Sequence, residues 1–316
     1  MKQLKVSVGV VKNTNGQVLI SLRDKLADQG NLWEFPGGKI EYGETAEQAM
    51  VRELKEELAL KVMSATPLIT INHQYPDLDV QLNVFSVDKY SGEAKSCEGQ
   101  AFKWINPAEL ANYPFPAANQ PIIRAAQLPS RYAILDDADE ALLIENLHKL
   151  LIRGIKLIQL RLKNTSPQSL ERFLTQAYPI CRQSEVSLLI NSGVKDAANY
   201  AVDGIHLTSQ QLMSINKRPS FPFATSTHPY WVAASCHNAQ ELQHAQTIGL
   251  DFVVLAPVLA TKTHPKAKPL GWEQFNKLVS QVNLPVYALG GLSEFDLNKA
   301  QQAGGQGIAA IRTFLE

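Results

Sequence analysis

From Tyr132 onward the chain alternates short apolar runs with longer amphipathic ones, and that rhythm leaves few folds open. Runs typical of buried strands fall at 132–135, 157–162, 187–190, 204–207, 231–235, 252–256, 286–289 and 307–311. Helical periodicity follows several of them, most clearly at 138–152, 168–181, 239–248, 272–279 and 294–303. Strands this apolar are covered on both faces, as parallel strands joined by crossover helices are. Eight of them predict a closed (β/α)8 barrel rather than an open sheet. Ligands of such barrels bind where the strands end. Arg161, Asn191, His206, Ser235, Pro257 and Gly290–Gly291 all stand there. The sequence runs only a few residues past the eighth run, so the barrel is expected without its final helix. The segment 121–127, or the preceding domain, is left to cover that gap.

At 316 residues the chain is long enough for two domains, divided here as 1–128 and 129–316. The first half reads as a mixed sheet carrying helices, with strands at 4–11, 17–22, 67–75, 80–87 and 102–105. A glycine turn at Gly37–Gly38 precedes its most distinctive helix. Thr45 is a good N-cap with Gln48 three residues on, a capping-box pair that starts the helix near Ala46. Ala46, Ala49, Leu54 and Leu58 supply an apolar stripe. Glu53, Glu56 and Glu57 fall at i, i+3 and i+4 and crowd their carboxylates on one face. Clustered oxygen donors suit Mg²⁺ or Mn²⁺ better than zinc. Spacing and charge alone fit a solvated helix face equally well.

Formal net charge is zero with 19% charged residues, which gives no footprint for a stable nucleic-acid or membrane surface. Cys97, Cys181 and Cys236 lack metal-ligand spacing, and no apolar window is long enough to span a bilayer. A reduced, cytoplasmic, soluble protein is the expectation.

The segment GGKIEYGETAEQAMVRELKEELAL resembles the signature of the Nudix hydrolases, departing from it only at Ala59, where the family has glycine. Alanine can end the helix there if no positive φ is required. With WEFPGGKIE, YPD, EGQ and PFPAANQPII, the resemblance extends over nearly all of 1–128 to the MutT type, which hydrolyses 8-oxo-dGTP to the monophosphate and pyrophosphate. It implies a metal set of Glu53, Glu56, Glu57 and Glu98 with a backbone carbonyl at Gly38. Arg52 would support the ligands and Glu44 would assist the metal or the fold. Nucleotide contacts would come from Arg23, Phe35, Lys39, Asp77 and Asn119, with the Asn119 amide reading the purine edge.

The second half is similar to the thiamine-phosphate synthases in QLRLK, LLIN, DGIHL, AASCH, LAPVLATKTHPKAKPLG and YALGG. That resemblance implies phosphate-ligand contacts at Arg161, Lys163, Ser235, Thr261, Thr263, Gly290 and Gly291. Three positions depart from it. Ser192 and Gln211 replace the aspartates that carry magnesium in the family, and His264 replaces a lysine. Without those charges, full synthase activity is not expected.

The expected protein is thus an α/β and α+β two-domain chain, a Nudix α/β/α sandwich followed by a TIM barrel lacking its final helix. Its expected activity is metal-dependent hydrolysis of oxidised purine nucleoside triphosphates. Two alternatives stand beside that reading: hydrolysis of thiamine-related diphosphates, and a barrel that only binds or regulates.

Overall fold

The computed structural model describes residues 2–26, 29–76, 78–191, 197–221, 230–261 and 267–316. The chain divides into two compact units, Met1–Gln127 and Leu128–Glu316.

Unit 1 is built on β1 (Lys2–Val11), which pairs in parallel with β6 (Leu78–Ser91) and antiparallel with β4 (Gly37–Lys39). Strand β5 (Lys61–Gln74) completes the order β4-β1-β6-β5. A second sheet, β3-β2-β7, joins Trp33–Glu34, Val18–Leu22 and Phe102–Ile105. The pleat of β1 sends alternate residues to opposite layers. Val8 and Val10 enter one core with Ile122, Ile123, Ala125 and Ala126 of α2 (Gln120–Gln127). On the other face Val11 joins Met50, Leu54 and Leu58 of α1 (Ala46–Leu58). Ser7 Oγ donates to the Ala46 carbonyl at 2.5 Å. A Cβ on Gly9 would come within 2.9 Å of Leu54 Cδ1, so that glycine lets α1 lie close to the sheet.

Two expectations change here. Gly37–Gly38 is not a turn but part of a short strand, Gly38 opposite Ser7 and Gly37 opposite Val8. A Cβ on Gly37 would meet the Ser7 carbonyl oxygen at 2.1 Å, so close strand contact, rather than chain reversal, requires glycine. Ala59, for its part, caps α1 at φ 56°, ψ 22°, so the left-handed conformation is needed and alanine adopts it at a cost.

Unit 2 is a closed barrel of eight parallel strands, β8 (Arg131–Asp136), β9 (Leu157–Arg161), β10 (Ser187–Ile190), β11 (Gly204–Leu207), β12 (Trp231–Cys236), β13 (Phe252–Leu255), β14 (Val286–Leu289) and β15 (Gly307–Ala310). Tyr132 and Ile134 face inward with Phe252, Val254 and Tyr287, while Ala133 and Leu135 face the helices. Tyr132, Phe252 and Tyr287 pack with ring centroids 5.4–5.5 Å apart, filling the barrel's base. After β15 there are only turns, and Phe314 is fully buried in the outer core. The helix at 120–127 belongs to unit 1. Its apolar face is spent in the core of unit 1.

Two acids secure the opposite rim. Asp203 accepts from the Leu188 amide and from Tyr178, and Asp251 accepts from the Val232 amide at 2.7 Å and from Arg218 at 2.6 Å. Each supplies an acceptor to the start of a neighbouring strand that the barrel ladder does not satisfy.

Candidate functional sites

In unit 1 the acidic helix is organised by Arg52. Its Nε and Nη2 reach Glu44 at 2.8 and 3.0 Å, and Nη1 reaches Glu53 at 2.9 Å and Glu56 at 3.2 Å. Nη2 also donates to the Lys39 carbonyl at 3.0 Å, tying α1 to β4. Glu44 is thereby a partner of Arg52, its carboxyl held below the usual range by those bonds and by the Glu41 amide. The Lys39 side chain is exposed.

Glu57 is set differently. Burial, then the charges of Glu53, Glu34 and Glu98, push its carboxyl up to about 8, against a hydrogen bond from the Gly37 amide. Glu98 reaches this cluster because its loop is stitched to the end of α1: the Cys97 amide and the Gln100 side chain both donate to the Glu57 carbonyl, at 2.9 and 3.1 Å. Glu34 arrives through the β2–β3 pairing, in which its carboxylate is bound by Arg23. In the sequence Glu34 carries no signal of this role beyond its place beside Phe35 in WEFPGG. A Cβ on Gly38 would lie 2.2 Å from Glu53 Oε1, so the bare backbone there is what admits that carboxylate.

Mutually repelling oxygen donors against a glycine backbone fit a hard divalent cation. As the side chains stand, among the described residues, no three acidic, His or Cys groups converge closely enough to hold one ion. Arg52 accounts for this at Glu53 and Glu56, which it draws toward itself.

The other expected nucleotide contacts lie across the second sheet. Phe35 is 2% exposed and stacked on Phe115 at 5.4 Å, so its ring belongs to the core and its backbone and edge are what remain for a ligand. Asn119 ends a short 3-10 turn, Ala117–Asn119, and is 9% exposed. Asp77 lies outside the described residues.

In unit 2 a cavity of about 1120 Å³ opens at the C-terminal ends of the strands. Arg161, Lys163, Ser235, Thr261 and Gly290 line it, five of the seven expected ligand residues. Gly291 adjoins Gly290, and the two have φ of 66° and 107°. A Cβ on Gly291 would strike the Ala260 carbonyl oxygen at 2.2 Å, which makes this a close backbone crossing as well as a turn. Arg161 is paired with Asp136 at 2.9 Å. Thr263, Ser192 and His264 lie outside the described residues. Gln211 forms the capping box of its own short helix with Thr208, so its amide is occupied by the backbone at 2.9 Å.

The family profile described as thiamine monophosphate synthase matches residues 131–314, and the one described as NUDIX domain matches residues 7–125. The chain belongs to both families. The 8-oxo-dGTP diphosphatase of Escherichia coli (strain K12) is 39% identical over 123 residues, covering 39% of this chain and 95% of that protein. The CTP pyrophosphohydrolase of the same organism is 32% identical over 125 residues, 40% of this chain and 92% of that protein. A thiamine-phosphate synthase of Fusobacterium nucleatum subsp. nucleatum is 29% identical over 162 residues, 51% of this chain and 76% of that protein. This is a fusion of a Nudix unit and a synthase-family barrel, and pyrophosphohydrolysis is the chemistry of its first part. No helix among the described residues is long and apolar enough to cross a membrane.

Proposed function

We propose that the Nudix unit hydrolyses oxidised purine nucleoside triphosphates, 8-oxo-dGTP foremost, to the monophosphate and pyrophosphate. The observation that carries the choice of base is Asn119: an amide-bearing residue only 9% exposed, at the end of the 3-10 turn Ala117–Asn119. An amide offers a donor and an acceptor together, which can pair with the O6 acceptor and a ring N–H of an 8-oxo-guanine edge. The 8-oxo-dGTP diphosphatase relative supports this reading, and the CTP pyrophosphohydrolase relative supplies its competitor.

Mg²⁺ or Mn²⁺ held by Glu53, Glu56, Glu57 and Glu98 with the Gly38 backbone would neutralise phosphoryl charge and make water more acidic. The residues themselves do the rest. Arg52 fixes Glu53 and Glu56, the Gly37 amide orients Glu57, and the Cys97–Gln100 loop delivers Glu98. Arg23 stands beside Glu34 at the sugar and phosphate end. Lys39 and Asp77 are the remaining proposed nucleotide contacts. In the barrel, a phosphate-bearing small molecule is the proposed ligand, bound without synthase turnover.

The test is kcat/KM for 8-oxo-dGTP, dGTP, CTP and thiamine diphosphate on wild type and Asn119→Ala side by side. Wild type should prefer 8-oxo-dGTP. The substitution should cost that substrate roughly tenfold to a hundredfold, as loss of a paired hydrogen bond does, and leave the magnesium dependence unchanged. A wild-type preference for CTP or thiamine diphosphate overturns the reading.

A further inference from the structure

Below the barrel cavity lies a chain of polar side chains of which only Ser235 is among the ligand contacts named above. Gln159 is 2% exposed and His206 is 1% exposed. Gln159 Nε2 donates to Tyr132 Oη at 3.2 Å. Tyr132 Oη lies 3.1 Å from His206 Nδ1, and His206 Nε2 lies 2.9 Å from Ser235 Oγ. Asn191 Nδ2 donates to the His206 carbonyl at 2.7 Å, pinning the strand end that carries the ring. Gln159, His206, Asn191 and Ser235 all border the cavity.

A chain of this kind can run in two directions, and the choice decides what Ser235 offers a ligand. With the Gln159 amide donating to the phenol oxygen, the phenol proton is available to Nδ1. A phenol is the most acidic neutral donor in the set and an imidazole nitrogen its strongest acceptor, so O–H···N is the better of the two matches. Nε2 then carries the ring proton and donates it to Ser235 Oγ. The serine hydroxyl hydrogen is left to point elsewhere, into the cavity. In the reverse direction Ser235 would donate to Nε2 and show the cavity only lone pairs.

We propose that His206 is a positioning residue held as the Nε2–H tautomer by Tyr132 and Gln159, and that it fixes Ser235 as a hydrogen-bond donor to whatever occupies the barrel. The ligand class that follows has an acceptor, such as an unprotonated ring nitrogen or an oxygen, at the cavity floor. An N–H at the same place has only the one Oγ lone pair that the His206 bond leaves, so an acceptor is the better match. The ring is also kept neutral: burial, then the nearby Arg161 charge, holds His206 at about 3. The direction of the chain therefore survives across the whole physiological range.

The experiment is ¹⁵N NMR of the full chain labelled at histidine, with the His206 signals assigned by their loss in His206→Gln. Wild type should show a neutral ring protonated at Nε2, by on the order of tenfold over the other tautomer, unchanged down to about pH 5, where exposed histidines become charged. Tyr132→Phe keeps the ring packing and removes only the hydroxyl. It should bring the two tautomers close to even. A ring protonated at Nδ1, an imidazolium at about pH 5, or a tautomer ratio untouched by Tyr132→Phe overturns the proposal.

Discussion

Arg52 and Glu57 divide the work at the residue scale. A guanidinium that touches Glu44, Glu53, Glu56 and a backbone carbonyl uses its planar fork in several directions at once. Lysine is a single point charge and cannot reproduce that. Arg52→Lys should lower kcat/KM about tenfold to a hundredfold, in the range seen when a ligand-orienting partner is lost. A magnesium titration of the variant checks it, and the half-saturating concentration should rise. Glu57→Gln should keep the fold and lower turnover by at least about a hundredfold, because it removes an anionic oxygen from the proposed cation site. Turnover within about threefold of wild type at saturating magnesium would remove Glu57 from that site.

The element scale explains both what could be read ahead and what could not. Ala59 stands where helix α1 needs a left-handed residue, and its φ of 56° is the conformation glycine adopts freely. Ala59→Gly should therefore stabilise unit 1 by about 1 kcal/mol, read as a higher denaturation midpoint with unchanged activity. Asp251 is 2% exposed and accepts from Val232 and Arg218, so Asp251→Ala should destabilise the barrel by about 3 kcal/mol or more by leaving those donors unpaired. Chemical denaturation followed by tryptophan fluorescence measures it. Eight barrel strands were legible because each is a local apolar run, and their observed ends fall within a residue of those expected. Helix α1 was legible through its capping box, which forms as read. The strand Gly37–Lys39 was not. A glycine pair signals a turn locally, and only its partner β1, about thirty residues away, makes it a strand. Glu34 and the Tyr132–His206 contact were hidden as well: Glu34 is placed by the β2–β3 pairing, and Tyr132 meets His206 across the barrel interior, from strands that do not pair.

For the whole molecule, the open question is what a synthase-family barrel does beside a pyrophosphohydrolase. The barrel retains the cavity, the Arg161 and Lys163 cations and the Gly290–Gly291 crossing. The aspartates expected to hold magnesium are replaced, and the Gln211 side chain is committed to its own helix terminus. Diphosphate departure needs charge neutralised at the leaving group, and neither Ser192 nor Gln211 can supply the anionic ligand that the resemblance expects at its position. Binding can persist where turnover does not. The expected outcome is that the full chain makes no thiamine phosphate from the pyrimidine diphosphate and thiazole phosphate, yet is stabilised against heat by inorganic pyrophosphate. Mass action sets the size of that shift, about 2.7 kcal/mol at a hundredfold excess over Kd. The assay must be run in Glu57→Gln, because an active Nudix unit could destroy the diphosphate substrate and imitate an inactive barrel. Arg161→Ala in that background should abolish the thermal shift. Product formation by the Glu57→Gln chain would mean that other groups of the barrel carry the metal, and an undiminished shift in Arg161→Ala would place the anion away from the cavity.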